Sequence, residues 1–185
     1  MRTATCALVA YAILLVLGSL WMTLGRLPWI FGGLVEWKPE VAAIAAAYLG
    51  LTARRSVAGA VGASIVVGYL SDLIGGAPVG LYALISGVVC ILGHLVHRRI
   101  LVRGWGVTVG FSFFVGLATA VMAVMLRALF AQPLGGVGTE LARMLTSGLA
   151  TAAIGPLVLR LLRRIDAAFA RTHRERDAAL EGLAP

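Results

Sequence analysis

The chain has 185 residues, 60% of them hydrophobic and only 13% charged, with a mean hydropathy of +0.95. This composition excludes an ordinary water-soluble domain and describes an integral membrane protein, with length for one small helical bundle and nothing left for a soluble catalytic domain. The net charge of +8 does not point to nucleic acid, because the arginines lie between apolar segments and no stacking or base-reading residues accompany them.

Six apolar segments can be drawn, over residues 3–24, 39–53, 57–74, 79–96, 106–129 and 145–162. The first follows Arg2 in the manner of a signal peptide, but no A-x-A-like site comes after it, so it reads as a retained span. The second is short: even from Pro39 to Arg55 it would reach only about 25 Å, against a hydrocarbon core of about 30 Å. Lys38-Pro39 suits a helix start, since proline at the first helical position loses no intrahelical bond. With the N-terminus in the cytoplasm, twelve Lys and Arg fall on the inner side and four on the outer, which predicts six spans with both termini inside. Trp21, Trp29 and Trp37 then mark the outer interface and Trp105 the inner one.

The third segment carries Ala60, Ser64, Gly68, Asp72 and Gly76 at intervals of four, so the first four form one stripe of small or polar side chains on a helix. In lipid such a stripe predicts close helix contact. Asp72 reads as the only acid embedded in the apolar segments, near the outer end of its helix. Its expected work is to end the helix, to bond the turn at residues 75–80, or to hold an arginine such as Arg127; a proton or cation relay lacks evident partners. Gly75, Gly76, Ala77 and Pro78 are too short a link for anything but an antiparallel hairpin. The small face of the fourth segment (Gly80, Ala83, Gly87, Cys90, His94 and His97) is expected to meet that of the third.

The fifth segment carries Ser112, Gly116, Ala120 and Ala123 and ends in Arg127, expected to snorkel outward. The sixth carries Ser147, Thr151 and Gly155, then Pro156, where a kink is expected. Residues 163–181 hold five arginines against four acids, with Leu162, Ile165 and Phe169 along a narrow apolar edge. This divides the chain into a transmembrane bundle, residues 1–162, and a basic amphipathic cytoplasmic tail, residues 163–185, whose helix continues from the last span. Arg160, Arg163, Arg164 and Arg171 are the candidates for contact with anionic lipid or a cytoplasmic partner.

Little in the chain suggests catalysis. His94 and His97 are three apart on a helix, but no third ligand lies at their depth, and Cys6 and Cys90 sit in apolar segments, so neither a metal, a disulfide nor a cofactor is indicated. Gly62-Ala63-Ser64 lacks the following glycine of an intramembrane serine protease. With no phosphate-binding loop and no paired carboxylates, the chain reads as a non-enzyme.

Lys38-Pro39, the run Gly62, Gly68, Asp72, Leu73, Ile74, Gly76 and Gly80, and Pro156 before a basic end resemble the rod shape-determining MreD family of the bacterial cell-elongation machinery. The resemblance covers most of the chain, and its most specific part runs from Gly68 to Gly80; Ser64 stands where some members have glycine. It implies an all-α polytopic inner-membrane subunit of six helices, similar in fold to the substrate-binding S-components of energy-coupling-factor vitamin transporters. It also implies a scaffold for peptidoglycan synthesis and cell shape that binds the bitopic protein MreC and links MreB filaments to a RodA-type glycosyltransferase and its transpeptidase. The candidates for helix packing or the partner interface are Ala60, Ser64, Gly68, Asp72, Gly76, Pro78, Gly80, Ala83 and Gly87, on the faces of the third and fourth helices. A transporter subunit is the alternative, and it requires a polar, ligand-sized pocket.

Overall fold

The computed structural model describes residues 8–13, 15–16, 39–53, 57–75, 78–97, 104–133 and 135–181, apart from the side chains of His97 and residues 170–181. Trp21, Trp29, Trp37, Cys6 and Gly76 lie outside the described residues. Among those described, the chain is all-helical: α1 (residues 8–13 and 15–16), α2 (Val41–Thr52), α3 (Val57–Gly75), α4 (Leu81–His97), α5 (Trp105–Leu129) and α6 (Val137–Glu181). Three stretches are long and apolar enough to cross a membrane, Val57–Ile74, Trp105–Leu129 and Val137–Phe169, whereas α2 and α4 are shorter. The chain is a helical membrane protein.

The shortest full helix is the central one. α2 packs against α3, α4, α5 and α6, and all ten residues from Val41 to Gly50 are buried. Its sequence, VAAIAAAYLGLT, is apolar on every side, as a helix walled in by other helices should be. At 12 residues it is about 18 Å long; its apolar surroundings are mainly protein, so it has no need to match the thickness of a bilayer. Ala10 and Ile13 of α1 add to the same core.

Glycines set the close approaches. A Cβ on Gly68 would run into the backbone of Tyr82 and Ala83 and the Ser86 hydroxyl, and one on Gly87 would press on Ile65, so α3 and α4 run antiparallel. Tyr82 meets Glu40 at the start of both helices and Gly50 lies against His94 near the end of both, so α2 runs parallel to α4; Glu40 meets Thr151 and Tyr48 meets Asp166, so it runs parallel to α6 as well. Gly116 fits against Thr151 and Gly155 against Ser112, which makes α5 and α6 antiparallel. Helices α2, α4 and α6 therefore point one way and α3 and α5 the other.

Some boundaries differ from the sequence reading. Pro39 precedes α2 by two residues and accepts a hydrogen bond from Val41 N–H instead of opening the helix. Gly80 lies outside α4, in the turn, with φ +98°, and a Cβ there would meet open space; its contribution is backbone conformation, not packing. Gly62 is likewise exposed and open. α5 ends in a Schellman turn, Ala131 N–H to Ala128 O and Gln132 N–H to Arg127 O, with Ala131 in the left-handed region at φ 49°. α6 begins eight residues before the expected 145, where the Glu140 carboxylate reaches back to Gly135 N–H, and it runs unbroken through Pro156 to Glu181.

Candidate functional site

Two regions carry the features that a function could use: a buried polar network and an open apolar flank.

The network starts at Asp72, which is 1% exposed. Its carboxylate accepts hydrogen bonds from Gly80 N–H at 2.9 Å, Tyr82 N–H at 2.9 Å and Ala83 N–H at 3.3 Å. These are donors that the first turn of α4 cannot satisfy within itself, and the positive end of the helix dipole favours a negative charge there. Asp72 thus caps α4 from the last turns of α3 and closes the hairpin, the turn-bonding role expected from the sequence. Arg127 is half-buried in the last turn of α5, and its charge acts on the Tyr82 phenol.

From Tyr82 the network continues inward. The Tyr82 hydroxyl donates to Glu40 Oε1 at 3.2 Å, and Glu40 N–H donates to Thr151 Oγ1 at 3.1 Å. The Thr151 hydroxyl in turn donates to Ser147 O at 2.6 Å. One local and two long-range links thereby join α3 to α4, α4 to the start of α2, and α2 to α6. Thr151 also packs on Gly116, which is midway along α5, so the start of α2 meets the first turn of α4 and lies level with the middle of α5. Asp72 is accordingly not the only buried acid: Glu40 and Glu140 are 6% and 8% exposed. The sequence reading passed over Glu40 because it stands beside Lys38-Pro39 at the edge of a segment. The signal available was an acid at the start of an apolar stretch too short to span.

Of the predicted face residues, Ala60, Ser64, Gly68, Asp72, Ala83 and Gly87 are buried in contacts within the bundle, while Pro78 and Gly80 belong to the connecting turn. Among the described residues the small faces of α3 and α4 are therefore packed on each other. A groove lies elsewhere. On the flank between α4 and α5, floored by Ala47 of α2, is a cavity of about 480 Å³ lined by apolar residues, among them Leu92, Gly93, Gly110, Phe114 and Met122. A Cβ on Gly110 would meet nothing there within 4 Å.

At the far end of the bundle, Tyr48 donates to Asp166 Oδ2 at 3.0 Å, and the Arg160 guanidinium lies 5.6 Å from the Trp105 ring centre. Arg160, Arg163 and Arg164 are exposed; Arg171 is on α6 beyond the described side chains. Among the described residues no three His, Cys, Asp or Glu side chains are placed to share a metal ion. No protein-family model, curated protein or solved structure matches the chain.

Proposed function

We propose that this chain is a non-enzymatic scaffold subunit of the bacterial cell-elongation complex, of the MreD type. It sits in the inner membrane with six spans and both termini in the cytoplasm, in a fold similar to energy-coupling-factor S-components. Its α4–α5 groove receives the single transmembrane helix of an MreC-like protein, which connects it to MreB filaments and to the RodA-type glycosyltransferase and transpeptidase.

The observation that carries this reading is the chemistry of the groove. A vitamin-binding subunit needs convergent polar groups in its pocket to orient a solute, whereas this cavity is lined by aliphatic and aromatic side chains with Gly93 and Gly110 among them. Small residues beside an open apolar flank suit another helix, because lipid-embedded helices associate where backbones can approach. Asp72, which could have served a ligand, is engaged by three backbone N–H groups.

Gly110→Leu tests the proposal. The first carbon of the new side chain meets nothing within 4 Å and the rest extends toward the groove, so the protein should fold, yet crosslinking pull-down from native membranes should lose the bitopic partner that the unaltered chain recovers. Retention of that partner by folded Gly110→Leu would remove the groove from the mechanism. Recovery of an ATPase-bearing transporter module by the unaltered chain would favour the S-component reading.

A further inference from the structure

The exposed side of α6 changes character within one turn. Leu145, Leu149 and Leu157 are exposed at intervals that keep them on one stripe, with Ala153 between them and Leu157 at 72%. The next positions on that stripe are Arg160 and Arg164, both exposed, with exposed Arg163 beside them. Arg160 stands over Trp105, the first residue of α5, whose indole is 65% exposed. Asp166, the sole acid between Arg160 and Phe169, accepts a hydrogen bond from the Tyr48 hydroxyl of α2.

The level of these residues is fixed by the lengths of the helices. Arg143 to Arg160 is about 25 Å along α6 and Trp105 to Arg127 about 33 Å along α5, which bracket the hydrocarbon thickness of about 30 Å. Arg160 and Trp105 therefore lie where the acyl region gives way to headgroups.

We infer that Arg160 and Arg164, with Trp105, form a binding site for the phosphate of an anionic phospholipid in the adjoining leaflet. Two guanidinium forks one turn apart present paired donors matched to phosphate oxygens. The indole occupies the interfacial level that tryptophan prefers, and Leu157, Leu149 and Leu145 continue the same stripe as a track for an acyl chain. A cytoplasmic filament would instead reach arginines beyond the bilayer, such as Arg171; the pair at issue is continuous with lipid-facing leucines. The inference rests on the membrane placement and not on the scaffold role.

The full-length protein, purified in detergent and titrated with phosphatidylglycerol or phosphatidylcholine, is followed by native mass spectrometry. The unaltered chain should retain phosphatidylglycerol preferentially, inorganic phosphate should not displace it, and R160Q/R164Q should reduce the preference by roughly tenfold. R171Q/R174Q/R176Q should leave it unchanged. Absence of any preference in the unaltered chain, displacement by free phosphate, or a preference lost only in the triple variant would each overturn the site. So would an intact preference in folded R160Q/R164Q, including the case where that variant loses a cytoplasmic protein instead. Should R160Q/R164Q fail to fold, R160Q alone decides: a several-fold loss supports the site and an unchanged preference refutes it.

Discussion

The two ends of α4 are built on opposite principles. Its first turn is held by a carboxylate and a phenol: Asp72 takes the N–H groups of Gly80, Tyr82 and Ala83, and the Tyr82 hydroxyl reaches Glu40. Its later turns carry Leu92, Gly93 and Val96 into an apolar groove where contact with α5 is incomplete. In a medium without water, hydrogen bonds to a buried charge are directional and costly to leave unmade, whereas apolar contacts to protein and to lipid are nearly interchangeable. The polar end therefore fixes the bundle, and the apolar end can exchange one neighbour for another without unfolding.

Substitutions on and around α4 test that contrast. Asp72→Ala leaves backbone donors unsatisfied in a buried site and should lower stability by about 3 kcal/mol or more, read as loss of the monodisperse species in detergent; Asp72→Asn, which keeps one acceptor, should lose less. Gly68→Leu drives a side chain into the Tyr82 and Ala83 backbone and should cost about 3 kcal/mol in thermal unfolding. Tyr82→Phe removes one bond to Glu40 and should cost about 1–2 kcal/mol. Gly110→Leu, at the apolar end, should change thermal stability by less than about 0.5 kcal/mol while abolishing partner recovery. If Gly110→Leu proved as destabilising as Gly68→Leu, the flank would be part of the packed core and the contrast would fail.

The polar end was partly legible in the sequence and the apolar end was not. Asp72 and the donors it satisfies lie within eleven residues, so a lone acid before a glycine-rich turn announces its own use. Tyr82 and Glu40 are 42 residues apart, and Glu40 and Thr151 are 111 apart; no local pattern joins them. The stripe of Ala60, Ser64, Gly68 and Asp72 correctly marked a contact face, but a stripe names a face and not its partner. That the face is closed by α4, and that the open flank belongs to α4 and α5, depends on how the helices are arranged around α2. The early start of α6 was hidden because Glu140 and Arg143, 3.2 Å apart, look like loop residues when hydropathy is the guide.

The shortness of α2 and the burial of its first ten residues also constrain how the protein is made. A 12-residue helix, five of its residues alanine and its N-cap a glutamate, has too little apolar length to settle in a bilayer by itself. Its walls are α3, α4, α5 and α6, all of which leave the ribosome after it. Its insertion is therefore an assembly step, completed only when later segments arrive, and a nascent chain released between α2 and α3 would lack the surfaces that hold α2 in place.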